Sequence, residues 1–395
     1  MKKIKNHIKL ILYILLFFSI SNAVYSKKIN KSYDSDKVFN YFAGVSSLYD
    51  NEYASSYKYF KELEGLEREH YNYSQFYLYS LVNSEKINEA YRYSKKIENK
   101  GIESFEGRLV AGIYHLKNNK YDKALKYFQK LKINNDQEES VRSLVVTSLE
   151  NWIIFSKSEK DKALRLVDVM PERFESIKKI QSTFVHCFFK SNSTEEIFEK
   201  LLFDEKTDFS RYGFFYANYL NNSGKPREAI DVIDRSLESN PRNLILNQFK
   251  KELENKKNIN FSNKFSCKNL PDISAEILYI VANILSSKSS YVLSNFYLSL
   301  AKYLNPNFIS FETLYAENFY MMNRFEKAKE IYKGITKTGL AYSWYASKEI
   351  YNILRKQEKA NEGVEFLKSS YRNINSPNIY EIYDYARLLK NNEEF

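Results

Sequence analysis

Residues 43–63 read AGVSSLYDNEYASSYKYFKEL, and residues 111–131 read AGIYHLKNNKYDKALKYFQKL. The two stretches share Ala-Gly, then Leu, Tyr, a small residue, Tyr-Phe and Leu at the same spacings, 68 residues apart. Halfway between them, at an offset of 34, the same frame holds Val82, Ile87, Ala90, Tyr93 and Ile97. A fixed period of this length marks a repeat architecture, in which each unit is one supersecondary element. The apolar residues recur at helical spacing on both sides of a short polar break, so each unit reads as two helices joined by a turn.

Farther along, small residues recur every twelve positions and end in proline: Ala217, Ala229 and Pro241, then Ala282, Ser294 and Pro306. Ala316 and Ala328 continue the series. Small residues at these two places let antiparallel helices approach closely, and proline ends the second helix because it cannot donate a backbone hydrogen bond. Between the helices stand Asp50-Asn51, Asn118-Asn119, Ser223-Gly224 and Asn323-Arg324. Asn and Gly tolerate the left-handed conformation that stops a helix.

These residues resemble the tetratricopeptide (TPR) repeat family. The resemblance implies an all-α fold, a right-handed α-solenoid of antiparallel helix pairs that stack because one pair cannot bury its apolar face alone. Units fall near 37–70, 71–104, 105–138, 144–177, 178–207, 210–243, 275–308, 309–342 and 344–378. The second, fourth, fifth and ninth are degenerate. The expected organisation is a leader over 1–23, a polar lead-in over 24–36, a first array over 37–255, a linker over 256–271 and a second array over 272–395. Residues 378–395 fit the first helix of a further unit whose second helix is missing, with Ile382, Tyr383, Ala386 and Leu389 forming its docking face.

In the family, positions 2, 5, 9, 12 and 13 of each first helix line a concave groove for a protein or peptide. Carried over, they give Arg211, Phe214, Asn218, Asn221 and Asn222, then Tyr279, Asn283 and Ser286, then Thr313, Glu317 and Tyr320. Asn218 and Asn283 both fall at position 9, where an amide can pair with a peptide backbone. The basic clamp of chaperone-binding members is not reproduced.

Composition agrees with helices. Gly (10) and Pro (6) are scarce among 395 residues, against average usage of roughly 7% and 5%. The formal charge is +11, but lysines are interleaved with Glu and Asp, so no stripe points to nucleic acid. Lys2, Lys3, Lys5 and Lys9 precede the apolar run Leu10 to Ile20 and Ser21-Asn22-Ala23, the pattern of an export signal. The run is short for a transmembrane helix, which needs about 20 residues; cleavage and retention as an anchor both stay open. The layout resembles exported all-TPR proteins of Gram-negative bacteria, which implies a periplasmic or envelope location.

Phosphate loops, Gly-x-Ser-x-Gly and His-Glu-x-x-His are absent from the sequence, so no enzyme motif, cofactor or metal site is expected. Of the two cysteines, Cys187 reads as a core residue and Cys267 as an incidental loop residue. They are 80 positions apart, and nothing in their spacing pairs them. The expected function is an exported scaffold for protein or peptide binding. The alternative is a targeting arm for a catalytic domain beyond residue 395.

Overall fold

The structure, a computed structural model, describes residues 34–70, 72–131, 139–204, 206–255 and 261–391. The leader expected over 1–23 lies outside the described residues. The chain divides into two compact units, 1–39 and 40–395. Of the first, residues 34–39 are described, where the Asp34 carboxylate accepts the backbone N–H of Asp36 as the first helix starts. Apart from the start of the first helix, everything below concerns the second unit.

Helices follow one another in pairs: α1 (Ser35–Tyr49) with α2 (Tyr53–Lys61), α3 (Tyr73–Asn83) with α4 (Ile87–Asn99), and α5 (Phe105–Lys117) with α6 (Tyr121–Gln129). Next come α7 (Glu139–Phe155) with α8 (Lys160–Asp168), α9 (Glu175–Phe189) with α10 (Thr194–Leu202), and α11 (Tyr212–Asn222) with α12 (Pro226–Ser239). A single helix, α13 (Leu244–Glu254), precedes α14 (Leu270–Ser287) with α15 (Tyr291–Leu304), α16 (Ser310–Met321) with α17 (Phe325–Ile335), and α18 (Leu340–Lys356) with α19 (Ala360–Arg372). The last helix is α20 (Ile379–Lys390). Among the described residues the one strand-like pairing is an isolated antiparallel bridge between Asn263 and Phe308.

Seven of the turns are built the same way. Asn51, Glu85, Asn119, Gly224, Ser289, Asn323 and Glu358 all have φ between 57° and 82°. The residue after each returns its N–H to the carbonyl five positions back, as in Glu52 to Ser47, Lys86 to Leu81 and Arg324 to Phe319. This closes the first helix and satisfies its last carbonyls. Asn51, Asn119, Gly224 and Asn323 are the residue types such a turn favours. Glu85, Ser289 and Glu358 are not, and two of these, Glu85 and Glu358, fall in pairs whose repeat is degenerate.

The close approach expected from small residues is real. A Cβ on Gly44 would lie 2.8 Å from the Phe60 ring, and one on Gly112 would lie 2.2 Å from Phe128. Where the second position carries a hydroxyl, it also ties the pair together: Ser56 Oγ donates to the Gly44 carbonyl at 2.8 Å and Ser294 Oγ to the Ala282 carbonyl at 2.7 Å. The second pair looks degenerate because sizes are exchanged. Leu78 replaces the glycine and Ser94 replaces the phenylalanine, and both are buried. The volume is conserved while the letters change, which is the exchange cores tolerate best.

The array does not remain open. α15 packs on α3 and α5, and α14 packs on α7 and α5, so the seventh pair lies on the inner face of earlier pairs. Between Glu276 and Lys302 the sequence carries a single charge, Lys288. Helices apolar on all sides belong in an interior, and Val281, Phe296, Leu298 and Leu300 are fully buried.

Residues 261–269, expected as part of a linker, are instead packed. Asn263 is buried, donating to Tyr342 Oη at 3.0 Å and accepting from Ser310 N–H at 3.0 Å. Phe265 packs edge-on against Phe215 at 4.6 Å. Leu270 and Pro271 already belong to α14, where proline suits the first turn because its missing N–H would be unpaired anyway. Asp272 accepts Ser266 N–H at 2.9 Å and the Asn269 side-chain amide at 2.9 Å. Burial nevertheless lifts its carboxyl to about 6.

Cys267 is not incidental. It is bonded to Cys187 on α9, and both are buried. The fold-back brings together two residues that spacing alone could not pair.

The last helix also departs from expectation. Ile382 and Tyr383 are exposed, whereas Glu381, Asp384 and Leu388 are buried. The two inward carboxylates decide the register: Asp384 meets Arg242 at 3.0 Å and Lys348 at 2.6 Å, and Glu381 meets Lys251. Three cations from α13, α18 and the end of the sixth pair outweigh the pull of two apolar side chains, since an uncompensated buried carboxylate is far costlier than an exposed isoleucine.

Candidate interaction surface

The rows that should line a groove behave differently in the two halves. At position 9 the first three pairs carry Val45, Tyr79 and Ile113, and at position 12 Leu48, Val82 and Leu116. In the sixth to ninth pairs the same places hold Asn218, Asn283, Glu317 and Asn352, then Asn221, Ser286, Tyr320 and Arg355.

In the early pairs this face holds the chain's own helix. Tyr79 meets Phe296 edge-on at 5.0 Å. At position 13, Asn83 donates to the Val292 carbonyl at 3.4 Å and Lys117 to the Leu304 carbonyl at 2.8 Å. A cation on the last carbonyls of α15 suits the negative end of that helix. Burial lowers the Lys117 ammonium below its ordinary range.

The expected groove residues divide accordingly. Arg211 is internal. Its Nε and Nη2 each lie 2.8 Å from the Glu276 carboxylate, Nη1 donates to Ser310 Oγ at 2.9 Å, and its guanidinium lies 3.9 Å from the Tyr279 ring. Burial opposes its charge, yet Glu276 outweighs that and holds Arg211 well above its usual range. Phe214 is fully buried among Phe249 and Phe308. Asn218 does pair with a peptide backbone, but it is the chain's own: Nδ2 donates to the Phe265 carbonyl at 3.0 Å. Thr313 is buried and donates to Ser310 O. Tyr279 is half-buried, stacked on Phe311 at 5.4 Å.

The remainder stay open. Asn222, Asn283 and Glu317 are exposed, and Asn221, Ser286 and Tyr320 are half-buried. Glu317 accepts the Tyr345 hydroxyl at 2.5 Å, Asn352 donates to Glu349 at 3.3 Å, and Lys356 lies 4.4 Å over the Tyr320 ring. Loss of bulk water raises the Glu317 carboxyl, opposed by its Tyr345 hydrogen bond and assisted by Glu349; Glu349 is raised for the same primary reason. Tyr345, Glu349 and Asn352 were not among the expected residues. The degenerate ninth pair hid them, because its turn is displaced by one residue, Glu358 standing 35 after Asn323. Pairing by the turn residue would have found them.

Among the described residues no group of three His, Cys, Asp or Glu is placed to hold a metal ion. No described helix is long and apolar enough to cross a membrane.

A second feature lies where the first two turns face α16 and α17. A cleft of about 870 Å³ opens there, with Glu52, Asn83 and Glu85 on one wall and Glu312, Phe319 and Glu330 on the other. Ion pairs cross the seam: Lys302 joins Glu85 at 2.6 Å and Glu312 at 2.8 Å, and Arg324 joins Asp50. Burial disfavours the Lys302 charge, but Glu312 and Glu85 together raise its ammonium above the ordinary value.

No protein-family model matches the sequence, and no curated protein matches it. Solved structures do. The P58(IPK) TPR domain is 13% identical over 91% of this chain and 100% of its own, with a TM-score of 0.24. Yeast Tom70 is 13% identical over 91% and 95%, with a TM-score of 0.25. MamA is 11% identical over 50% and 96%, with a TM-score of 0.22. The 34-residue turn spacing and the glycine-to-aromatic contacts are features of this chain itself. The chain is an all-α solenoid of tetratricopeptide-type helix pairs, with one pair folded onto the inner face of the others.

Proposed function

We propose that the chain is an exported scaffold that binds a protein or peptide, and that the partner engages the inner face of the sixth to ninth pairs. The observation that carries this reading is the change at positions 9 and 12 from apolar residues, buried except for half-buried Val45, to exposed Asn283 and Glu317 and half-buried Tyr320 and Asn352. Side-chain amides, a carboxylate and tyrosines are groups that hold a polypeptide by hydrogen bonds and ring contacts. The reading assigns the chain no reaction.

Export is supported by the leader-like residues 1–23 together with the Cys187–Cys267 bond, since disulfides persist in oxidising compartments such as the periplasm. Two experiments test the proposal. A phosphatase reporter fused after residue 391 should be active only if the chain is exported, and deletion of 1–23 should abolish that activity. A photocrosslinking amino acid at Asn283 or Glu317, introduced in living cells, should give a discrete adduct that the same group at exposed Glu238 does not. Adducts of equal yield at all three positions would reject the face.

A further inference from the structure

The last helix leaves open a face that earlier pairs cover. α20 docks through Asp384 and Leu388, which meet Lys348 and the Tyr351 hydroxyl of α18 at 2.6 Å and 2.9 Å. Its other side carries Ile379, Ile382, Tyr383 and Ala386 at helical spacing, and all four are exposed. Tyr385-Ala386 matches Tyr315-Ala316 in the repeat frame, so Ala386 stands at position 8 and Ile382 at position 4.

Elsewhere in the chain those two positions meet the second helix of the same pair. At position 8, Gly112 lies against Phe128, and the Ala282 carbonyl accepts from Ser294 Oγ. At position 4, a Cβ on Gly213 would lie 2.9 Å from Ser236 Oγ, and Arg108 donates to the Lys130 carbonyl at 2.7 Å. The open face of α20 therefore continues an interface the chain builds repeatedly, and that interface takes a helix.

The repeats also say which kind of helix. Their second helices carry a small residue with apolar residues three and four places on, as in Ala229, Val232 and Ile233 of α12 or Ala328, Ile331 and Tyr332 of α17. α20 bears the reverse stripe, Ala386 preceded three and four places back by Tyr383 and Ile382. Antiparallel packing sets the small residues opposite one another and lays the two stripes together. It also brings the first turn of the incoming helix beside Arg387 and Lys390, the exposed charges of α20. In α12 and α17 that turn is acidic, with Glu228 and Glu326, and Asp384, 3.9 Å from Arg387, is already held by Arg242 and Lys348.

We infer that the open face of α20 is a docking site for an amphipathic helix of another protein. That helix carries a small residue, apolar residues three and four places on, and a carboxylate in its first turn; helices of this type bind by regularly spaced anchors. A second copy of the chain fits worse. Packed antiparallel, its Lys390 would stand where the second helices hold Ile233 or Tyr332; packed parallel, Lys390 would meet Lys390.

The probe is a labelled peptide of residues 225–239, KPREAIDVIDRSLES, in which Arg227→Lys is joined to Asp231 by a lactam. Both places are exposed in the chain, and the link is needed because an isolated helix of this length is marginal in water. Fluorescence anisotropy on the full oxidised chain should show binding. Ala229→Leu in the peptide, or Ala386→Leu in the chain, should weaken it about tenfold, since either leucine holds the helices apart. Ile382→Ser should weaken it about fivefold by removing apolar contact. Met321→Ser, at another exposed apolar residue, should leave it unchanged. Absence of binding to the wild-type chain overturns the docking face. Binding that neither Ala386→Leu nor Ile382→Ser weakens overturns its location, and equal affinity for the Ala229→Leu peptide overturns the small-residue crossing. A dimer in sedimentation that Ala386→Leu dissociates makes the occupant a second copy and overturns the separate partner. None of these outcomes touches the inner-face proposal, which Asn283 and Glu317 test separately.

Discussion

Two stretches of the same repeat frame, the inner face of pairs one to three and that of pairs six to nine, have opposite fates. The first is apolar at positions 9 and 12 and holds the α14–α15 hairpin on its second and third pairs; the second is polar there and, apart from Asn218, which binds the Phe265 carbonyl, stays open. The frame fixes where a side chain points, and its chemistry then decides whether the chain uses the surface internally. A repeat assignment alone therefore does not locate a binding groove.

The comparison is broken most severely by hollowing the filled face. Phe296, fully buried and in edge contact with Tyr79, should cost about 3–5 kcal/mol on replacement by alanine, read as a lowered urea midpoint. Asn283→Ala on the open face should shift the midpoint by no more than about 0.5 kcal/mol. Equal losses at the two sites would mean that both faces are structural.

The disulfide tests how firmly the inserted hairpin is held. Cys187 on α9 is joined to Cys267, three residues before α14, so the bond closes a loop of 80 residues at the entrance to the hairpin. The Cys187→Ser, Cys267→Ser double variant should lose about 2–4 kcal/mol. Hydrogen exchange should quicken in α14 and α15 before it quickens in α16 to α19. Uniform loosening would show that the bond does not act on the hairpin in particular.

Most of the pairing was legible in the sequence, because a 34-residue period with small residues at positions 8 and 20 leaves few alternatives. The fold-back was less legible. Its signals were present in the near absence of charge between Glu276 and Lys302 and in the apolar residues at groove positions of the early pairs. Each reads as ordinary core until the partner surface is known, so neither announces a contact some 200 residues away, as between Asn83 and Val292. Arg211 was misplaced for the same reason. Its frame position pointed to solvent, while Glu276, 65 residues on, takes it inside.

A smaller effect sharpens the register itself. Gly112→Leu forces a side chain into the Phe128 ring and should cost about 1–3 kcal/mol. Phe128→Ser added to it copies the Leu78 and Ser94 combination of the second pair and should recover part of that loss, read from the thermal midpoint. No recovery would mean that the second pair owes its stability to other neighbours than this exchange.

The smallest effect belongs to the open face and turns on sign. Glu317 has its carboxyl raised by loss of bulk water, so the folded state disfavours its charge relative to the unfolded chain. The penalty is present at neutral pH, where both states are ionised, and disappears as pH falls through the raised folded value toward the unfolded value of about 4.3. Glu317→Gln removes the penalty while its amide oxygen still accepts from Tyr345. Because Glu317 is exposed and solvent screens it, the gain at neutral pH should stay within about 0.5 kcal/mol, and it should vanish below pH 4. A carboxylate that slightly destabilises the fold while facing an open surface is better explained by what it binds than by what it supports. Should Glu317→Gln instead destabilise at neutral pH, the Tyr345 contact needs the charge, and Glu317 belongs with the buried residues of the filled face.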